Sequence, residues 1–389
     1  MSVELGLEVL LARQLDLVAG RRAGLVASAS SVDGKLVSTV ERLHGHPDVN
    51  LAALFGPEHG LRGEAQAGEH VNTYRDPLTG LPVYSLYGET RKPTPEMLSD
   101  LDVLIVDLQD GGVRFYTYLS TLACVMQAAA EQGIPVIVLD RPTPLGGLAV
   151  EGPVLDEAYT SFVGMYPLPI RYGMTIGEVA GLFNEAFGIG CPLTVVPMVS
   201  WQRRLWLDQT GLPFVPPSPN LPTLAAMTVY PGTCLVEGTN LSEGRGTTKP
   251  FEYVGAPWIE APEALAHTLN ALDLPGVRFR AVYFVPTFSK HQGQRCQGVH
   301  VYVTDRERFR PVETALHLLA QVKAAYGEHF GWREPWSPGG HYPIDLLSGG
   351  SLVREYLDAS RPVPELVGAW QRGLQDFIAL RAEYLRYPD

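Results

Sequence analysis

Four continuous apolar runs mark the first 140 residues: "GLVAS" (24–28), "VNLAALF" (49–55), "VLIVDL" (103–108) and "PVIVLD" (135–140). They are short, rich in β-branched residues and bounded by polar, glycine or proline positions, the pattern of strands buried on both faces. Between the last two, "YTYLSTLACVMQAAAEQG" carries helical periodicity and ends on Gly133, which suits a C-cap. Non-alternating strands joined by helical crossovers predict a parallel sheet covered by helices. The expected fold class is therefore α/β, with a Rossmann-like N-terminal domain over residues 1–210.

The pattern changes after "VVPMVSWQRRLW" (195–206). "GLPFVPPSPNLPT" (211–223) is proline-rich and reads as an extended connector. Beyond it, "VRFRAVYFVPTF" and "GVHVYVT" alternate as half-buried strands do, while "VETALHLLAQVKAAYG" and "PELVGAWQRGLQDFIALRAEYL" are helical in period. Residues 211–389 are accordingly expected to form a smaller mixed α/β domain.

Composition narrows the function. A hydrophobic content of 46% with 19% charged residues describes a globular chain. The net charge of −12 argues against a nucleic-acid surface. Cys124, Cys191, Cys234 and Cys296 lie at least 43 residues apart and form no CxxC pair, so reduced core thiols are expected. The uncharged span Gln209–Val236 holds six prolines, which excludes membrane insertion there. The N-terminus lacks a basic segment followed by an apolar one, which reads as cytoplasmic for the chain as given and as exported if a leader was trimmed. No feature sets an oligomeric state. The 40 glycines and 32 prolines, together about 18% of the chain against roughly 12% on average, imply many shaped loops, where sites concentrate.

In open α/β sheets, ligands bind beyond the carboxyl ends of the strands. Three predicted strands end in polar loops: "GPEHGLRGE" after Phe55, "QDGGVRFYTY" after Leu108 and "DRPTPLGGLAVEGP" after Leu139. If the strands are parallel, these loops share one edge, and Glu58, His59, Asp107, Gln109, Asp110, Arg114, Asp140, Arg141 and Glu151 can converge there. The segment "EGTNLSEGRGTTKPFE" (237–252) packs three carboxylates, Asn240, Arg245, Lys249 and three glycines between apolar flanks, another candidate site containing Glu243. No G-x-G-x-x-G follows a strand and no P-loop is present, so no nucleotide cofactor is expected. Asn240 stands where a nucleophile elbow around Ser242 needs glycine. His59 and His70 lack the spacing of a helical zinc site, so no metal is expected either. Carboxylates, arginines, amides and aromatics remain, a mixture suited to sugar binding and carboxylate-assisted glycosidic cleavage.

At these motifs the chain resembles a known family. "FGPEHGLRG", "DLQDGGVRFYTYLSTL", "LDRPTPLGG", "VEGPVL", "PPSPNLPT", "YPGTCLVEGTNLSEGRGTTKPFEYVGAPW" and "YPIDLLSGGSLVRE" are similar, in the same order, to the DUF1343 family of NamZ-like exo-β-N-acetylmuramidases. The resemblance implies release of terminal N-acetylmuramic acid from peptidoglycan fragments in a cleft between two domains. It implies Glu58 as the leading catalytic residue, with Glu151 as a second acid, and His59 beside Glu58 could orient it. Asp107, Gln109, Asp110, Arg114, Tyr116, Asp140, Arg141, Asn220, Asn240, Glu243 and Arg245 follow as substrate-binding candidates. Arg62, Arg114, Arg141, Arg171 and Arg245 are candidates for the lactyl carboxylate of the muramic sugar, since arginine suits a carboxylate. The substrate's 2-acetamido group could itself attack the anomeric carbon. A reading from another class is a non-catalytic protein closing two domains on a muropeptide.

Overall fold

A computed structural model describes residues 2–389. Strands β1 (Arg22–Ala27), β2 (Asn50–Gly56), β3 (Tyr74–Arg75), β4 (Pro82–Ser85), β5 (Val103–Asp107) and β6 (Val136–Leu139) belong to one sheet. β7 (Glu151–Val154) and β8 (Pro169–Arg171) form a separate antiparallel ribbon, and β9 (Leu193–Val196) then completes the seven-stranded sheet in the order β3-β4-β2-β1-β5-β6-β9. Every pair in it is parallel except the β3 edge. The apolar runs account for this arrangement. All of β5 and β6 is buried, as helices on both faces require.

The helix Tyr118–Gln132 returns the chain from β5 to β6. It ends where Gly133 takes φ 67° and its N–H bonds back into the last turn. The helix Ile176–Glu185, between β8 and β9, starts with a reciprocal cap. Thr175 Oγ1 accepts from Glu178 N, and the Glu178 carboxylate accepts from Thr175 N.

A second sheet, β10 (Tyr253–Ala256), β11 (Val277–Phe284) and β12 (Cys296–Val303), is antiparallel in the order β10-β12-β11. The buried residues of β11 change face at Ala281: Val277 and Phe279 pack into the main core, whereas Val282 and Phe284 pack with Cys296 and Tyr253 on the other side. The helix Leu224–Thr233 lies against the helix Pro311–Tyr326. At Gly232 an added Cβ would fall 1.9 Å from Pro311 O, so only glycine permits this approach.

The C-terminal stretch departs from a single continuous helix. It divides at the buried Trp370 into Val363–Ala369 and Gln371–Ala382. The turn sends the last helix back against β7 of the first half. There Arg381 donates to the carbonyls of Gly147, Tyr172 and Gly173, and Tyr387 donates to Asp140. The chain end thus stiffens the region built by the first 200 residues. The four cysteines are buried and unpaired. Among the described residues no helix is long and apolar enough to cross a membrane.

Candidate active site

The tip of β2 is a forced turn. A Cβ on Gly56 would lie 2.9 Å from Leu61 N, and Gly60 N donates to Pro57 O at 2.9 Å. His59 and Gly60 both take positive φ, 72° and 76°. For histidine that conformation costs on the order of 1 kcal/mol, and bonds to one residue hold it there. His59 Nδ1 lies 2.9 Å from Ala65 O, and Ala65 N donates to His59 O. Burial lowers the His59 pKa, and the Glu58 charge offsets that only in part. The ring is therefore neutral at pH 7, with Nδ1 carrying the hydrogen and Nε2 left as an acceptor.

The same turn aims Glu58 inward. Its Oε1 accepts from Gly68 N at 2.8 Å, and its Oε2 lies 2.6 Å from the Thr117 hydroxyl just before the helix Tyr118–Gln132. A hydroxyl can accept as readily as donate, so Oε2 can hold a proton without breaking this contact. The Tyr87 hydroxyl is pushed up to about 12, chiefly by burial and next by the Glu58 charge.

Glu58 and His59 open onto a cavity of about 610 Å³, within the roughly 300–1,000 Å³ of small-molecule sites. Tyr87, Phe115, Tyr116 and Thr117 line it from the first half and Asn220 from the proline-rich connector; Tyr230, Glu237, Glu243, Arg245, Phe251, Lys290, Arg333 and Trp336 line it from the second half. Its apolar part is an edge-to-face aromatic series, with Tyr230 centred 5.3 Å from Phe115 and 4.7 Å from Phe251.

The facing polar wall comes from the 237–252 segment. Arg245 donates to Glu237 at 2.6 Å and approaches Glu243 at 3.4 Å; Lys290 meets Glu243 at 2.8 Å and donates to the carbonyls of Val236 and Thr239. Burial acts to lower the Arg245 pKa, but Glu237 and Glu243 outweigh it and raise the pKa overall. At Gly246, with φ 77°, a Cβ would meet Phe288 N at 2.7 Å. Glycine there lets the loop carrying Lys290 dock, with Thr287 N donating to Gly246 O.

Of the residues singled out in the sequence, Glu58, His59, Tyr116, Asn220, Glu243 and Arg245 line this cavity. Asn220 donates to Gln66, and Tyr116 holds the Pro217 carbonyl, so both tie the proline-rich connector to the site. The others do not converge with them. Asp107 is sealed beneath the loops in an ion pair with Arg141 and a bond from Thr39. Asp140 accepts from Thr175, Gly177 and Tyr387. Asp110 accepts from Gly112 N and Tyr172, and burial raises its pKa to about 7.

Gln109 donates to the carbonyls of Asp110 and Pro142. Arg114, completely buried, donates to the carbonyls of Pro153, Leu168 and Leu347. The Asn240 amide anchors His329 and Gly331. Glu151 is half-buried beside Arg171 with its Oε2 shielded from solvent, accepts from Glu313 N, and has its pKa raised to about 7 by desolvation. Sequence reasoning passed over Tyr87, Thr117, Tyr230, Glu237, Lys290, Arg333 and Trp336. Thr117, Tyr230 and Glu237 stand within quoted motifs and could have been found. Lys290, Arg333 and Trp336 carry no local signal. Among the described residues no group of three or more His, Cys, Asp or Glu side chains is placed to hold a metal ion.

The fold and cavity define a class: a parallel α/β unit with an acid-bearing strand tip, covered by a smaller mixed α/β unit that brings a carboxylate–cation wall. Comparison with known proteins narrows it further. The N-terminal and C-terminal family models of the exo-β-N-acetylmuramidase NamZ match residues 23–225 and 228–387, and the chain belongs to that family. It is 51% identical over 386 residues to the peptidoglycan β-N-acetylmuramidase NamZ of Bacillus subtilis, covering 99% of this chain and 92% of that protein. The crystal structure of a DUF1343 family protein from Bacteroides fragilis is similar with a TM-score of 0.90 and 39% identity, covering 99% of both chains. A second DUF1343 protein from the same organism matches with a TM-score of 0.77 and 29% identity over the full length of both chains.

Proposed function

We propose that this chain is a glycoside hydrolase, an exo-acting β-N-acetylmuramidase that releases terminal N-acetylmuramic acid from peptidoglycan fragments, with Glu58 as its general acid. The observation that carries the catalytic assignment is the setting of Glu58. One oxygen is fixed by a backbone N–H and the other faces a hydroxyl able to accept its proton, at the wall of a cavity shared by both halves. In the reaction Glu58 gives its proton to the glycosidic oxygen as the C1–O bond breaks, and water supplies the hydroxyl that ends on C1. Neutral His59 presents Nε2 as an acceptor for a sugar hydroxyl.

The facing acids Glu237 and Glu243 are engaged by Arg245 and Lys290. In a route in which the substrate's own acetamide oxygen attacks C1, a carboxylate orients the acetamide N–H, and Glu237, which Arg245 engages through Oε1 alone, keeps Oε2 for that. The aromatic series offers apolar faces to the pyranose ring.

The test is hydrolysis of a nitrophenyl β-N-acetylmuramide beside the matching β-N-acetylglucosaminide. Aglycone release from the muramide, in strong preference to the glucosaminide, is expected. Tight binding of the muramide with no release would instead make this a binding protein.

A further inference from the structure

N-acetylmuramic acid differs from N-acetylglucosamine by a lactyl ether carrying a carboxylate. Recognising that charge takes a cation whose donors are not already committed. The arginines that the sequence motifs offer are committed. Arg114 holds three carbonyls, Arg141 pairs with Asp107, Arg62 pairs with Asp76, and Arg171 is buried with a donor on Leu145 O. Arg245 and Lys290 share Glu237 and Glu243, so this group of two cations and two acids carries no net charge.

One cation on the cavity wall remains. Arg333 lines the cavity and is exposed, and among the described residues its guanidinium has no carboxylate, carbonyl or aromatic partner. Its backbone, by contrast, is fixed. Arg333 N donates to Gly238 O at 2.9 Å, and Asn240 N donates to Gly331 O at 2.9 Å. Asn240 Oδ1 accepts from Gly331 N at 3.1 Å. Arg333 is thus tethered to the same segment that carries Glu237, Glu243 and Arg245, with its head free toward the cavity. Trp336, three positions on, lines the same cavity while 73% exposed.

We propose that Arg333 binds the lactyl carboxylate and sets the preference for muramic acid over glucosamine, an inference that rests on the function proposed above. The rival is Arg91, whose guanidinium lies 5.0 Å from the ring centre of the cavity residue Tyr87 and 4.2 Å from that of Phe162. Arg91 is stacked on two rings and is not on the cavity wall, so Arg333 is favoured.

The experiment measures kcat/KM for wild type, R333Q, R333K and R91Q on three nitrophenyl glycosides: the β-N-acetylmuramide, its lactyl methyl ester and the β-N-acetylglucosaminide. A charge-assisted hydrogen bond is worth roughly ten- to a hundredfold. R333Q should lower the muramide-to-glucosaminide ratio by that factor and lose discrimination between acid and ester. R333K should keep part of both, because it retains charge without the planar fork. R91Q should keep the wild-type ratio. A wild-type ratio in R333Q, an equal fall on all three glycosides, or loss of the ratio in R91Q alone would each overturn the assignment. A wild type that cleaves neither sugar would overturn the function itself and the inference with it.

Discussion

Asp107 and Glu243 are both almost fully buried acids that meet an arginine, yet only Glu243 lies on the cavity wall. Both oxygens of Asp107 are taken by Arg141, which also donates to Val32 O, and Thr39 adds a further bond. Neither oxygen of Asp107 is left for a ligand. Glu243 instead joins two loops through Arg245 and Lys290 at the edge of open space. The loops after the parallel strands contain residues of catalytic type, but most of them are spent bonding one another. Asp107–Arg141, Asp140 with Tyr387, and Arg203–Glu178 make a rigid base. Glu58 escapes that use because the turn of Gly56 to Gly60 lifts it off the strand end.

The largest effect should fall on Glu58. Glu58→Gln keeps an acceptor for Gly68 N–H and loses the transferable proton, so kcat on a natural disaccharide should fall by about 10²–10⁴. The fall should be smaller on an activated nitrophenyl leaving group, and thermal melting should be unchanged. Equal loss on both leaving groups would give Glu58 a different role. A near-normal rate would place the acid elsewhere and break the contrast.

Asp107→Ala should act on stability instead. Removing one partner of a buried ion pair strands the other charge and costs about 3–5 kcal/mol. Denaturant unfolding should show that loss, while kcat per folded molecule stays at the wild-type level. A kcat defect without a stability defect would move Asp107 into the site.

The smallest effect is expected for Glu151→Gln, and it depends on pH. Burial raises the folded Glu151 pKa to about 7, above its ordinary value of 4.5, so the folded protein keeps a proton that the unfolded chain has lost. Its contribution to stability therefore declines as pH rises from about 4.5 to 7. Glutamine removes that dependence. The stability difference should move in the variant's favour by about 1–3 kcal/mol between pH 4 and pH 8, with kcat little changed. A large kcat loss with no pH-dependent change would restore Glu151 as a catalytic acid.

Much of the parallel sheet is legible along the chain. The runs 24–28, 49–55, 103–108 and 135–140 overlie β1, β2, β5 and β6, because a strand buried on both faces must be apolar whatever surrounds it. Gly133 ends its helix as expected, for the local reason that the left-handed cap disfavours a Cβ. The short edge strands β3 and β4, and β9 with its partly exposed residues, lack so distinct a signal. The break at Trp370 is invisible in the helical period of 364–385, because it follows from docking of the last helix on β7.

At the site, the sequence by itself determined that Glu58 and His59 stand on a constrained turn at a strand tip, since glycine and proline spacing records local geometry. It also marked 237–252 as a loop too charged and too glycine-rich for simple packing. Only the tertiary structure decided which of the similar-looking acids and arginines face the cavity. Burial and pairing of a charged head depend on residues far apart in sequence, as with Asp107 and Arg141, Asp140 and Tyr387, or Glu243 and Lys290. Arg333 and Trp336 reach the cavity for the same reason. Nothing around them in the chain differs from an ordinary exposed loop, and only the ladder to Gly238 and Asn240 brings that loop to the cavity that Glu58 also lines.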